Sequence, residues 1–303
     1  MNANWALGID LGGTKTEIVA IGQKPLQVLE RQRIPTNQAG GYGAILDDLV
    51  RLVEDFRRLA PGPVSIGMGI PGTLDPQSGL VKNANSQCLI GHPLGADLAQ
   101  RLGQEVALAN DANLFAWAEA VEGAGQGQDL VLGIILGTGM GGGIAVQGKI
   151  HQGVHGIAGE WGHSTIDLQG RPCWCGRRGC LEQYLSGPAV EAHYRQLAGR
   201  AASLAEIDHL ALAGEAAAML VMGEFLQVYG EALANLINIF DPDCIVLGGG
   251  VSNLPRLYNE GRAEVAKRVF DGELTTPILQ NQLGDSAGVY GAAWLGREFC
   301  NRA

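Results

Sequence analysis

The chain has 303 residues, a formal net charge of −10 and 46 glycines, about 15% of its length and roughly twice the usual share. That length allows a large core and more than one lobe. The acidic balance argues against nucleic acid or an anionic membrane as partner, since either calls for a basic surface, so a phosphate ligand would have to be held by local amide nests and a metal ion. No charged-then-apolar leader opens the chain and no apolar run approaches the ~18 residues of a membrane span, so a cytoplasmic protein is expected.

Ala6 to Leu11 reads as a strand that runs straight into Gly12-Gly13-Thr14-Lys15. Further strands are expected over Thr16 to Ile21 and from about Gln27 to Ile34. A dinucleotide fold would place a helix after the glycines, and Lys15 follows Thr14 where a Walker A loop needs glycine, so both are rejected. A tight turn between strands can still offer successive amides to a phosphate, and Asp10 at the strand end could hold Mg2+ through water. An ordinary hairpin is the plainer alternative.

Tyr42 to Leu59 has Ile45, Leu49, Leu52 and Phe56 at helical spacing. Val64 to Ile70 reads as a buried strand stopped by Pro71-Gly72. In the VKNANS stretch at 81–86, Asn83 and Asn85 offer paired amides suited to hydroxyl recognition, or simply to turn formation. Val106 to Ala109 is a short strand, followed by Asn110-Asp111-Ala112-Asn113 and an Ala-rich helix containing Trp117. Asp111 thus lies at a strand-to-helix junction, where capping is the ordinary role of an aspartate.

Leu130 to Leu136 is the next strand, and residues 137–142 match GxGxxG letter for letter. Gly143 to Val146 continues as a strand instead of a helix, which excludes the dinucleotide reading. This second strand–glycine turn–strand echoes residues 6–21 and predicts two lobes of similar plan, each presenting a phosphate-binding turn. Pro188 to Ala198 and Glu215 to Phe240 are helix candidates, the second stopped by Asp241-Pro242. Cys244 to Leu247 is a strand ending in Gly248-Gly249-Gly250, with a helix expected from Val251; such a turn suits an adenosine or its phosphate. Gly288 to Arg297 closes the chain as a helix.

The stretch from Ala158 to Glu182 holds three of the six cysteines, Cys173, Cys175 and Cys180, with His163 upstream and Glu160 and Glu182 at its ends. Thiolate and imidazole are the ligands Zn2+ prefers, and four of them close a tetrahedral structural site. Cys173 and Cys175 are two apart, so an extended segment points both to one face, and Gly176 and Gly179 permit the turn that returns Cys180. Arg177 and Arg178 lie beside the thiolates and offset their charge. Three reduced cysteines without a metal are the alternative. Cys88, Cys244 and Cys300 are expected to be inert.

Taken together, IDLGGTK at 9–15, NDAN at 110–113, LGTGMGGG at 136–143, GEWGH at 159–163 and CWCGRRGCLE at 173–182 resemble the motifs of the ROK family of the actin-like ATPase superfamily. The resemblance covers essentially the whole chain. It implies an α/β, two-lobed actin-like ATPase (ribonuclease H-like) fold with a structural zinc loop. Residues 1–118 would form a small lobe to which a C-terminal helix at 286–303 returns, and 119–285 a large lobe.

The implied activity is ATP-dependent phosphorylation of a hexose 6-hydroxyl, with ATP, Mg2+ and Zn2+ bound and a homodimer as the assembly. By matching motifs, Asp111 would be the catalytic base, and Asn85, Asn110, Asp111 itself, Glu160, His163 and Glu182 would contact the sugar. Asp10, Gly12, Gly13, Thr14, Lys15, Thr138, Gly139 and Gly249 would surround ATP and Mg2+. His163, Cys173, Cys175 and Cys180 would bind zinc. The wording at 81–86 and GDSAGVYGAAWL at 284–295 is most similar to bacterial manno(fructo)kinases, which implies fructose; the short 164–172 linker resembles the glucokinase version. Glucose and N-acetylhexosamines are the alternative substrates. Some family members are repressors with an N-terminal helix-turn-helix; because the first strand is read within a few residues of Met1, none is expected here, and a sugar sensor is the non-enzymatic alternative.

Overall fold

The two strand–glycine turn–strand units are realised in two β-sheets built to one plan. The computed structural model describes residues 5–22, 26–84 and 86–302. In chain order the first elements are β1 (Trp5–Leu11), β2 (Lys15–Ile21), β3 (Val28–Pro35), α1 (Gly41–Leu59), β4 (Val64–Ile70), β5 (Thr73–Leu74), β6 (Val81–Lys82), α2 (Leu94–Leu102), β7 (Ala107–Asn110) and α3 (Asp111–Glu122). Then come β8 (Leu130–Leu136), β9 (Met140–Val146), β10 (Lys149–Ile150), α4 (Glu182–Leu185), α5 (Gly187–Ala198), α6 (Leu204–Leu212) and α7 (Ala216–Phe240). The chain closes with β11 (Cys244–Gly248), α8 (Glu260–Ala266), β12 (Ile278–Gln280) and α9 (Ala287–Arg302).

Two compact units result. One comprises Met1–Ala118, Ile150–Ala158 and Ser286–Ala303, the other Glu119–Lys149 and Gly159–Asp285. The segment Ile150–Ala158 departs from the single block expected over 119–285. Within its unit Thr73 Oγ1 donates to the Gly156 carbonyl at 3.0 Å, which ties that segment to β5.

In the first unit the sheet order is β3-β2-β1-β4-β7. β1, β2 and β3 form an antiparallel meander, while β1, β4 and β7 run parallel. The stripe Ile45, Leu49, Leu52, Val53 and Phe56 of α1 joins Leu7, Ile9, Ile66 and Met68 in one core. Each such buried side chain contributes ~1.5–3 kcal/mol. Helix α9 lies almost on the strand backbone: a Cβ at Gly8 or Gly67 would come within 2.0 Å of the Val289 or Ala292 carbonyl. Only glycine permits that approach.

The second unit repeats the plan as β10-β9-β8-β11-β12, with β8/β9 antiparallel and β8/β11 and β11/β12 parallel. Helix α7 buries Val221, Met222, Phe225, Tyr229, Leu233 and Ile237, and ends at Asp241, whose φ is 44°. The helix expected from Val251 is instead two 3-10 turns, Gly250–Asn253 and Pro255–Leu257, ahead of α8. Pro255 accounts for the break, since it disfavours helical backbone at the residue before it and supplies no N–H. Among the described residues no single helix is long and apolar enough to cross a membrane.

Candidate active site

Register places the first group of candidates. Asp10 pairs with Gly69, and Ile70 with Asn110, so Asp10, Asn110 and Asp111 emerge at the C-terminal edge of three parallel strands. Gly69 separates the two acidic positions, and a Cβ there would stand 3.6 Å from both Asp10 Oδ1 and the Asp111 Cα. Burial, then Asp111 and Glu17, push the Asp10 carboxyl up to about 7, although Lys15 and Arg33 pull it down. Adjacent acids in this state favour a proton or a hard cation with oxygen ligands.

The capping question at α3 is answered by Asn110. Its Oδ1 accepts from Asn113 N–H at 3.1 Å, the bond of an N-cap, and its Nδ2 donates to the Gly72 carbonyl at 3.1 Å. Asp111 Oδ1 accepts from the adjacent Ala112 N–H at 2.8 Å. Asn110 therefore fills the capping role that is the ordinary alternative for Asp111. The hairpin turn before β2 closes with Gly12 N–H donating to the Lys15 carbonyl at 3.0 Å, and Thr14 and Lys15 are exposed on it. Asn85 lies outside the described residues.

In the second unit the turn after β8 and the turn after β11 leave the same sheet edge, since these strands are parallel neighbours. That brings Thr138, Gly139 and Gly249 together. Gly249 has φ 80°, and a Cβ on it would meet the Leu136 carbonyl at 2.3 Å.

Beside this turn, His163, Cys173, Cys175 and Cys180 offer ligand atoms that all lie within 4.8 Å of one another. Cys173 Sγ is 3.6 Å from His163 Nδ1, and Cys175 Sγ is 3.6 Å from Cys180 Sγ. Sulfurs at ~2.3 Å from a tetrahedral Zn2+ stand ~3.75 Å apart, and a nitrogen at ~2.05 Å stands ~3.55 Å from a sulfur, so the cluster fits that ion. Gly176 and Gly179 supply the turn with φ 87° and 66°, and at Gly179 a Cβ would fall 1.7 Å from the Asp167 carbonyl. Burial works against a charged Cys175, but hydrogen bonds from the backbone and side chain of Arg177 outweigh it and bring this thiol down to about 6. Cys180 is pushed up to about 12 by burial and by the neighbouring sulfurs. A central cation removes that conflict, because it favours every thiolate at once.

The carboxylates flanking the cluster are close-set. Glu182 is buried; its Oε1 accepts from Trp174 Nε1 at 2.7 Å and its Oε2 from Met140 N–H at 3.1 Å. Burial and Glu182 raise the Glu160 carboxyl. His163 N–H donates to the Glu160 carbonyl at 3.2 Å, and the His163 ring meets Trp174 edge-on at 4.9 Å. Trp174 and Arg171 were not singled out by sequence reasoning. Arg171 donates to the Gln183 carbonyl at 2.9 Å, pairs with Glu224 at 2.5 Å and stacks over Tyr184. A lone tryptophan and a lone arginine carry no spacing signal that would have marked them.

The profile of the ROK family matches residues 6–298. The chain belongs to the ROK family. An N-acetyl-D-glucosamine kinase from Mannheimia succiniciproducens is 38% identical to this ROK chain over 300 residues, covering 95% of it and 98% of the relative. A ROK hexokinase structure from Thermus thermophilus matches with TM-score 0.87 at 32% identity, over 99% of this chain and 100% of that one. A ROK glucokinase from Streptomyces griseus, solved with glucose and AMPPNP, matches with TM-score 0.82 at 31% identity, over 97% and 99% of the two chains. The fold is that of the ROK sugar kinases, an actin-like ATPase fold.

Proposed function

We propose that this ROK protein is a cytoplasmic, homodimeric kinase that transfers the γ-phosphoryl group of ATP to the 6-hydroxyl of a hexose, with fructose the leading substrate. The observation that carries the kinase reading is the edge where Asp10 and Asp111 emerge beside a glycine turn while Asn110 caps α3. Asp111 accepts the proton of the attacking hydroxyl as the new O–P bond forms and the bond to ADP breaks. A positioned carboxylate that takes this proton as general base is worth ~10²–10⁴-fold. The amides at Gly13 and Thr14, with Lys15, Thr138, Gly139 and Gly249, hold and orient the nucleotide. Asp10 would hold Mg2+ through water; when bound, that ion neutralises phosphate charge.

Asn85, Asn110, Glu160, His163 and Glu182 orient the sugar by hydrogen bonds. His163, Cys173, Cys175 and Cys180 would hold Zn2+, which with four protein ligands supplies a rigid anchor. His163 Nδ1 faces the sulfurs, which leaves Nε2 as the nitrogen for a sugar hydroxyl.

Fructose is favoured by the wording at 81–86 and 284–295. N-acetylglucosamine is the second reading, favoured by the name and 38% identity of the Mannheimia relative. Coupled ADP release over fructose, mannose, glucose and N-acetylglucosamine decides between them. A site that hydrogen-bonds particular hydroxyls should separate the true substrate from its isomers by orders of magnitude in kcat/KM. A clear preference for N-acetylglucosamine or glucose replaces fructose and keeps the hexose kinase; hexose-independent ADP release or none removes both.

A further inference from the structure

The hairpin turn between β1 and β2 is held in a particular way. The carbonyl of Gly12 accepts from Thr36 Oγ1 at 2.7 Å, that of Gly13 from Gln38 Nε2, and that of Thr14 from Thr36 N–H at 2.9 Å. One short segment, residues 36–38, thus engages three successive carbonyls. Because the Thr36 hydroxyl donates to Gly12, its 2.8 Å contact with the Thr16 hydroxyl is one in which Thr16 donates. Thr16 is buried in β2, so the chain of bonds ends in the sheet itself.

A trans peptide unit is planar, with its C=O and the following N–H pointing opposite ways. Three carbonyls drawn to residues 36–38 therefore turn the N–H groups of Gly13, Thr14 and Lys15 to the opposite side. Successive amides on one side make an anion-binding nest, whereas a carbonyl swung to that side would repel a phosphate. We infer that Thr36 and Gln38 are positioning residues that hold the amides of residues 13–15 toward a nucleotide phosphate. The inference rests on the kinase reading above. The two side chains bond the carbonyls of the turn, opposite its amides, so they act on nucleotide affinity and leave sugar affinity alone.

The test is calorimetric titration of the full chain with MgADP and, separately, with its preferred hexose. Thr36→Val combined with Gln38→Leu should weaken MgADP binding about tenfold or more, the scale of one misaimed hydrogen bond to a charged group. Sugar affinity should stay within about twofold. Thr36→Ser, which restores the hydroxyl, should recover nucleotide affinity where Thr36→Val does not. Gln38 is exposed, so Gln38→Leu alone carries the test if the double variant does not fold; it should still weaken MgADP several-fold. Unchanged MgADP affinity in these variants, or parallel loss of nucleotide and sugar affinity, overturns the inference. Wild-type protein that binds no MgADP overturns the kinase reading, and the clamp with it; the ratio of variant to wild type bears on the clamp alone.

Discussion

The two five-stranded sheets have the same strand order and the same hairpin with a glycine turn, yet the turns are held by opposite means. At the first, Thr36 and Gln38 take the carbonyls, and Asp10 and Asp111 stand at the sheet edge nearby. At the second, the Glu182 carboxylate takes the Met140 N–H, and its Oε2 would lie 2.7 Å from a Cβ on Gly139. The first turn is bonded through its carbonyls to Thr36 and Gln38; the second is tied through Glu182 to Trp174 and the cysteine cluster. Topology alone therefore assigns no chemistry. The side chains that reach each turn divide the labour, with the proposed base in the first unit and the proposed metal anchor and sugar-binding acids in the second.

The sharpest way to break this division is Cys175→Ser. If the cluster anchors Glu160, His163 and Glu182, the variant loses zinc, measured by elemental analysis of protein purified without added metal, and loses sugar binding and turnover together. Wild-type protein that is active with almost no zinc would refute the anchor.

A second test uses charge in the first unit. The folded-state pKa of Asp10 is raised from 3.8 to about 7, so its contribution to stability is fully present below about 4 and is lost as pH rises through about 7. In magnesium-free buffer Asp10→Asn escapes that loss. Its stability relative to wild type should improve by about 1–2 kcal/mol between pH 5.5 and pH 8, read by chemical denaturation. A flat difference would mean that burial and the neighbouring acids do not raise the Asp10 carboxyl as described.

The smallest effect is expected at Trp174→Phe, which removes the indole N–H from Glu182 and keeps an aromatic ring beside His163. The sugar KM should rise several-fold, as for one lost hydrogen bond to a charged group whose donor, Trp174, is itself exposed, with MgATP KM and metal content unchanged. An unchanged sugar KM would detach Trp174 from the sugar site.

Much of this layout was legible in the sequence, for physical reasons that can be traced. Both hairpins, α1 and α7 announce themselves through apolar periodicity bounded by glycine or proline, and the cysteine cluster through ligand type and turn glycines. The helices α2, α6 and α8 and the strand β12 were not read, because seven to nine residues or fewer carry too little periodicity to separate from loop. The capping role of Asn110 was hidden because Asn and Asp stand side by side and both cap well. The Thr36–Gln38 segment has no motif, since its contacts to Gly12, Gly13 and Thr14 depend on β3 returning beside β2. Which hexose is bound was also illegible, because sugars differ in hydroxyl placement that no spacing rule encodes.

The measurement that bears most directly on the central claim is the comparison of kcat with sugar Kd in Asp111→Asn. Because Asn110 provides the helix cap, the variant should fold and bind its hexose within a few-fold of wild type, while kcat falls by ~10²-fold or more, the loss expected for a general base. Near-normal turnover accompanied by a lower melting temperature would contradict the account and return Asp111 to a structural role at the start of α3.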